Sequence, residues 1–265
     1  MAYIFNGYGR KVESSKLKKP FSVKQKLSIV IPTYNEAENI ERIIKSIIVQ
    51  LKKTDFKKDY EFVIVDDDSK DDTPRIIDFL SKKYPVIAVH RIGLRGLFSA
   101  ISDGIFVANG EYILTMDADF SHPPELIPEM LRQANKADIV YATRFSDGGG
   151  MVAPPIRKYG SRVLNMACRI IGNLSTTDFG GQFRLMKKEK YEKILFKYDS
   201  VFGEYGIELF YRAQKLRYKL KSVPFVYKFR KEGNSKMGSS LKIIKLALIY
   251  LGRTMRLRFE AILDG

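Results

Sequence analysis

Five short apolar runs rich in β-branched residues, each followed by a stretch of helical periodicity, limit what this chain can fold into. They are "LSIVI" (27–31), "EFVIVD" (61–66), "VIAVH" (86–90), "EYILTMD" (111–117) and "DIVYATR" (138–144). A strand that is apolar on both faces must be covered on both faces. Helices between successive strands supply that cover, and the sheet they enclose is mostly parallel. After the first run, Ile40, Ile43, Ile44, Ile47, Ile48 and Leu51 recur at helical spacing. Thr73 and Pro74 read as the N-cap and first position of a helix to about Tyr84. Residues 95 to 108 read as a further helix, and Pro123 as the start of another through about Gln133. The fold class is therefore α/β.

Beyond the glycine-rich "DGGG" (147–150) the strand–helix alternation weakens. A helix over 157–172 carries Arg157, Lys158, Arg162 and Arg169, with Val163, Leu164, Ala167, Ile170 and Ile171 on one face. Residues 183–188 read as a strand, 204–216 as a helix and 223–229 as another strand. This half reads as a continuation of one domain (27–240), carrying a second ligand's site. Residues 1–26 hold seven Lys/Arg and one Glu and read as a flexible basic tail. In the segment 241–265, Lys242, Lys245, Arg253 and Arg256 fall within an arc of about 80° on a helical wheel. That makes an amphipathic helix suited either to an anionic membrane surface or to packing on its own domain or on a partner. No stretch approaches the roughly 18 to 20 apolar residues that span a bilayer.

The net charge of +16 favours an anionic partner. A nucleic acid is disfavoured, because the basic residues are scattered and no binding motif for one is present. One cysteine, Cys168, and two histidines, His90 and His122, speak against disulfides and zinc chemistry. There is no Walker loop and no G-x-G-x-x-G.

In an open parallel sheet, ligands sit outside the C-terminal strand ends. The segments at those ends are "PTYNE", "DDDS", "DADFSHPPE" and "TRF", the first three of them acidic. Asp117 and Asp119 alternate by two, so in extended backbone they point to one side and repel. A divalent cation relieves that repulsion, and carboxylate oxygens suit Mg²⁺ or Mn²⁺ shared with substrate phosphates. The bland alternative is a solvated turn in which Asp119 caps the following helix. Asp66 and Asp67 suit hydrogen bonds from a nucleotide's base or ribose, while Asp72 or Thr73 reads as a structural cap. "DDDSKDDT" is no calcium loop, since Lys70 stands at a ligand position.

Taken together, "IPTYNEAENI", "VDDDSKDDT", "MDADFSHPPE" and "RKEGNSK" resemble family 2 glycosyltransferases of the GT-A type, and among them dolichol-phosphate mannose synthases. The resemblance runs from about residue 27 to about 240. It implies a Rossmann-like GT-A sheet and an inverting, metal-dependent transfer of mannose from GDP-mannose to dolichyl or another polyprenyl phosphate. UDP-glucose is the alternative donor. Pro32, Tyr34, Glu36, Val65 and Asp67 would hold the guanosine. Asp117 and Asp119, with Ala118, would hold the metal and diphosphate; Arg144, Arg230 and Lys236 would surround the phosphates. Asp119 and Arg144 are then the residues expected to carry catalysis. Ser121 stands where some members have a glutamine that helps hold the metal, so the resemblance supplies no third protein ligand while leaving the metal itself in place.

The chemistry accords with the residues. An acceptor that is already a phosphate anion needs no strong base, and fixed cations stabilise the departing diphosphate. Arg157, Ser161 and Arg230 would grip that acceptor phosphate, with Asp178 and Glu208 orienting the cations or forming plain salt bridges. The resemblance places the enzyme peripherally on the cytoplasmic side of a membrane, like members that rely on a small separate membrane partner.

Overall fold

The computed structural model of the chain describes residues 2–6, 27–194, 204–228 and 240–263. The strands are β1 (Ala2–Asn6), β2 (Leu27–Thr33), β3 (Tyr60–Asp66), β4 (Val86–Ile92), β5 (Tyr112–Thr115), β6 (Ile139–Thr143), β7 (Gly150–Val152), β8 (Arg184–Lys187), β9 (Leu220–Pro224) and β10 (Val226–Lys228). The helices are α1 (Ile40–Leu51), α2 (Thr73–Lys83), α3 (Leu97–Val107), α4 (Ile127–Gln133), α5 (Pro155–Gly172), α6 (Lys188–Lys193), α7 (Tyr205–Lys215) and α8 (Ser240–Leu263). Eight strands form one sheet in the order β1-β4-β3-β2-β5-β8-β6-β9. Every pairing in it is parallel except those of β8 with β5 and β6. β7 and β10 pair separately.

The apolar runs are buried on both faces, as their composition requires. On one side Ile40, Ile43, Ile44, Ile47 and Leu51 of α1 pack with Ile29, Ile31, Phe62 and Ile64, together with residues of α2 and α4. Each such side chain contributes about 1.5–3 kcal/mol on burial. On the other side α3 covers Val30, Val63 and Val65, and α7 joins the same core through Tyr205 on Phe98 and Phe210 on Tyr141. A glycine sets how closely α3 approaches: a Cβ at Gly104 would stand 2.5 Å from Val30 Cγ1 and 2.9 Å from Val65 Cγ2.

Several local expectations change. β2 runs through Pro32, which stands opposite Val65. Pro32 is tolerated there because alternation turns it toward β5, whose pairing with β2 ends at Val30 and Thr115. Pro123 does not open the helix: Pro124–Leu126 form a 3₁₀ turn, and α4 begins at Ile127. The segment read as one strand over 223–229 divides at Phe225 into β9 and β10, which join different sheets. Of the segment read as a flexible tail, Ala2–Asn6 form an edge strand parallel to β4, while 7–26 lie outside the described residues.

The largest change concerns α5. Its buried residues are Asn165, Cys168 and Gly172, whereas Val163 and Ile170 of the apolar face point to solvent. α8 also differs from its helical wheel. Arg253 is turned inward, 3.4 Å from the buried Glu208, and leaves the basic arc. No described helix is long and apolar enough to cross a membrane.

Candidate active site

β3, β2 and β5 lie side by side, so the loops at their C-terminal ends form one rim. Those after β2 and β3 are laced together. Asn35, at φ 53°, receives the Lys70 N–H on its Oδ1 at 2.9 Å and donates its own N–H to Ser69 Oγ at 2.9 Å. Glu36 N–H donates to Thr73 Oγ1 at 2.8 Å, and Thr73 in turn donates to Asp71. Asp72 occupies the N-cap of α2 without a side-chain cap bond, so Asp71 and Thr73 carry the structural role. Glu36 is buried; its carboxylate accepts Asn39 Nδ2 at 2.8 Å, and its carbonyl accepts the N–H groups that start α1. The Val65 side chain is wholly buried and its carbonyl accepts Thr33 Oγ1, so this residue offers a floor rather than a contact.

Asp67 accepts the Gly96 N–H at 2.9 Å and pairs with the buried Arg91, which also reaches Asp103 at 3.0 Å and Ser99 at 2.7 Å. Burial raises the Asp67 carboxyl pKa, while the Gly96 N–H, Arg91 and Arg95 pull it down. The Arg95 guanidinium lies 4.1 Å over the Tyr34 ring, closing this end of the rim. Next to it, Asp66 is buried with one oxygen taken by the Ser69 N–H at 3.2 Å. Its other oxygen has no hydrogen-bond partner among the described residues. Burial raises the Asp66 carboxyl pKa as well.

The turn after β5 is wound tightly. Phe120 sits at φ 59°. The Ser121 N–H donates to Asp119 Oδ1 at 3.0 Å, which spends that oxygen on the turn rather than on a helix cap. The Asp117 N–H donates to His122 Nδ1 at 2.9 Å. His122 is buried, stacked on Phe183 at 5.3 Å and edge-on to Phe225 at 6.4 Å. An imidazole that accepts on Nδ1 carries its proton on Nε2. Sequence reasoning passed over His122, although its place five residues after Asp117 in one turn was visible.

Among the described residues no group of three or more His, Cys, Asp or Glu side chains could hold a metal alone. Two carboxylates completed by substrate oxygens fit Mg²⁺ or Mn²⁺, which keep few protein ligands. Replacing His122 by phenylalanine keeps the stack and removes the acceptor for Asp117. We expect Mn²⁺ affinity, read by calorimetry, to fall about tenfold, as for other residues that orient metal ligands. Unchanged affinity would leave His122 a packing role only.

The far side of the site comes from β6 and its neighbours. Arg144 makes a two-pronged pair with Asp178: Nε to Oδ2 at 2.8 Å and Nη2 to Oδ1 at 2.8 Å, with its N–H on Oδ2 at 3.1 Å. The guanidinium also lies 5.8 Å from the Tyr227 ring centre. The Tyr227 phenol shows what converges here. Burial, Asp119 and Asp117 raise its pKa, while Arg144 and Arg157 lower it. The phenol therefore remains a hydrogen-bond donor through the neutral range. No local signal marked Tyr227, which reaches the site only because β10 pairs with β7. Arg157 and Ser161 stand one turn apart on the first half of α5, both partly buried. Glu208 pairs with Arg212 at 2.7 Å and with Arg253 at 3.4 Å. Arg162 is exposed, and Arg230 and Lys236 lie outside the described residues.

Known proteins of related sequence and fold bear on the family of this chain. A dolichol-phosphate mannosyltransferase from Pyrococcus furiosus is 34% identical over 218 residues, 80% of this chain and 59% of that protein. A dolichol-phosphate mannosyltransferase from Saccharomyces cerevisiae is 29% identical over 222 residues, 82% of each chain. The chain thus spans about three-fifths of the length of the Pyrococcus relative. Among solved structures, glucosyl-3-phosphoglycerate synthase from Mycobacterium tuberculosis, in complex with Mn²⁺, UDP and glucosyl-3-phosphoglycerate, superposes with a TM-score of 0.60 at 18% identity, covering 88% of this chain and 80% of that one. The shared architecture is the GT-A fold. A family model for glycosyl transferase family 2 matches residues 28–195, more than half of the sequence, and the chain belongs to that family.

Proposed function

We propose that the protein transfers mannose from GDP-mannose to dolichyl or another polyprenyl phosphate, with inversion at the sugar's anomeric carbon. The observation that carries the reading is the gathering of Asp117, Asp119, Arg144 and Arg157 around Tyr227, at the C-terminal strand ends that also carry Asp66 and Asp67. The names of the Pyrococcus and Saccharomyces relatives support the acceptor class and the sugar. The Mn²⁺ and UDP in the Mycobacterium structure support a metal-held nucleoside diphosphate.

In this reading Asp66 and Asp67 take hydrogen bonds from the nucleoside, and Tyr34 with Arg95 closes over it. Asp117 and Asp119 hold the cation, which when bound neutralises the diphosphate and stabilises its departure. Arg144, held in place by Asp178, faces the phosphates, and Tyr227 donates from the same side. Arg157 and Ser161 grip the acceptor phosphate, whose oxygen forms the new bond to the anomeric carbon. The bond to the diphosphate oxygen breaks, and GDP leaves with the electron pair. No proton need be removed from an acceptor that is already an anion, so the site requires no general base. The lipid acceptor calls for a place at a membrane surface, and this reading sets the enzyme peripherally on the cytoplasmic face.

Titration with GDP-mannose and with UDP-glucose, each with and without Mn²⁺, tests this reading. Mn²⁺-dependent binding of GDP-mannose alone is the expected result. A preference for UDP-glucose would move the donor assignment, and metal-independent binding of both would remove the role given to Asp117 and Asp119.

A further inference from the structure

Arg184 carries a charge that the fold leaves unanswered. It is the first residue of β8 and is 1% exposed. Its Nη2 donates to the Phe179 carbonyl at 2.6 Å, while Nε and Nη1 have no hydrogen-bond partner among the described residues. The guanidinium lies 5.1 Å from the ring centres of both Tyr205 and Phe210 on α7. Gly206 lets α7 close over it, because a Cβ there would overlap the Phe179 carbonyl and stand 2.5 Å from Arg184 Nη2. Two ring faces and one carbonyl thus stand where water or a carboxylate normally would. Three other arginines turned inward are treated differently: Arg91 has Asp67 and Asp103, Arg144 has Asp178, and Arg253 has Glu208. Among the described residues no carboxylate forms an ion pair with Arg184. An arginine stays protonated even in such a place. A buried charge without a counter-charge costs stability, and departures of this kind from the rules of stable folding concentrate at functional sites.

Position indicates what the charge serves. β8 runs antiparallel between β5 and β6, so Arg184 lies at the C-terminal ends of both, opposite Thr115 and Tyr141. Asp117 follows Thr115 by two residues, about 7 Å further along an extended chain. The Tyr205 phenol senses both charges: burial foremost raises its pKa, with Asp117 acting in the same direction and Arg184 against it. At an effective dielectric of about 20, unit charges about 10 Å apart change a binding constant by about tenfold. Arg184 is placed to act at that range on Asp117 and on an anion beside it, without touching either.

We propose that Arg184 is an electrostatic component of the site, a fixed cation beneath the strand ends whose counter-charge is supplied by a bound nucleoside diphosphate. This rests on the donor class put forward above. Its sign is specific. The field that favours a diphosphate opposes a divalent cation bound alone at Asp117 and Asp119.

Arg184→Met and Arg184→Gln both remove the charge. The glutamine can still donate to the Phe179 carbonyl, so it carries the test should the methionine variant not fold. Calorimetry on the full chain reads two constants, one for Mn²⁺ alone and one for GDP, with UDP in parallel, at saturating Mn²⁺. In both variants Mn²⁺ alone should bind at least threefold tighter and GDP about tenfold weaker. Equal GDP affinity in the variants and the unsubstituted chain would overturn the proposal and leave the donor class standing. So would Mn²⁺ and GDP weakening together, or a loss confined to Arg184→Met, since either marks a role in holding the Phe179 loop. Weakening seen with UDP in a chain that does not bind GDP would keep Arg184 in the site and move the donor assignment. An unsubstituted chain that binds neither nucleotide would overturn both readings.

Discussion

Replacing Asp119 by alanine should lower kcat/KM about 10³-fold and leave the fold intact. The two halves of that expectation rest on different observations. Asp119 is half-exposed at the tip of the turn after β5, and its backbone bond is local, from the Ser121 N–H. Losing such a contact costs about 0.5 kcal/mol or less. Its negative charge lies close enough to raise the Tyr227 pKa, in a place where Asp117 does the same. Removing one carboxylate therefore eases repulsion between the two carboxylates and removes half of the protein's hold on a cation. Electrostatic stabilisation of a leaving diphosphate is worth several kcal/mol, so a loss of about 4 kcal/mol in the barrier is the appropriate scale. Mn²⁺-dependent nucleotide binding should weaken in parallel. Asp72→Ala is the control: Asp72 is exposed and makes no cap bond, and turnover should stay near that of the unsubstituted chain. Full activity in Asp119→Ala would remove the metal from the mechanism.

The parts of this site legible in the sequence are those written locally. Strands β2 to β6 announce themselves because burial on both faces demands unbroken apolar runs, and the acidic loops follow at their ends. The parts that were not legible depend on partners far along the chain. Asp66, Asp67 and Asp71 look alike in sequence. Only the fold gives Asp67 to Arg91, Asp71 to Thr73, and leaves an oxygen of Asp66 without a donor. Periodicity located the apolar face of α5 but could not say whether it faced in or out, since a period fixes which residues share a face and not what lies opposite. Small residues at 168 and 172 decide it, by letting α8 close on that side. The same limit explains Arg253. Its wheel position matched the basic arc, but a buried Glu208 on α7 draws it inward. Tyr227 depends on β10 leaving the main sheet, and nothing in "VPFVYKF" marks that division except Phe225, which turns into the core.

Asp178→Ala should be the most destabilising of the substitutions considered, by about 3–5 kcal/mol. Its side chain is fully buried and that of Arg144 only 14% exposed, so the pair exchanges its bonds away from water. One carboxylate satisfies Nε, Nη2 and the backbone N–H of Arg144, and it also receives the Gly180 N–H at 3.1 Å. Taking it away leaves a guanidinium in a poorly solvated place without a counter-charge, which is costlier than never having buried the pair. For a chain of this size the melting temperature should drop by roughly 10 °C. Turnover should fall as well, because Arg144 loses the fork that aims it past Tyr227. The two effects separate in a double variant. Arg144→Met with Asp178→Leu replaces the pair by apolar groups of similar volume and should recover much of the lost stability, with no recovery of activity. Stability and activity returning together would show that Asp178 serves the fold alone. Neither returning would place the damage in the loop around Thr176 and Gly180 rather than in the ion pair.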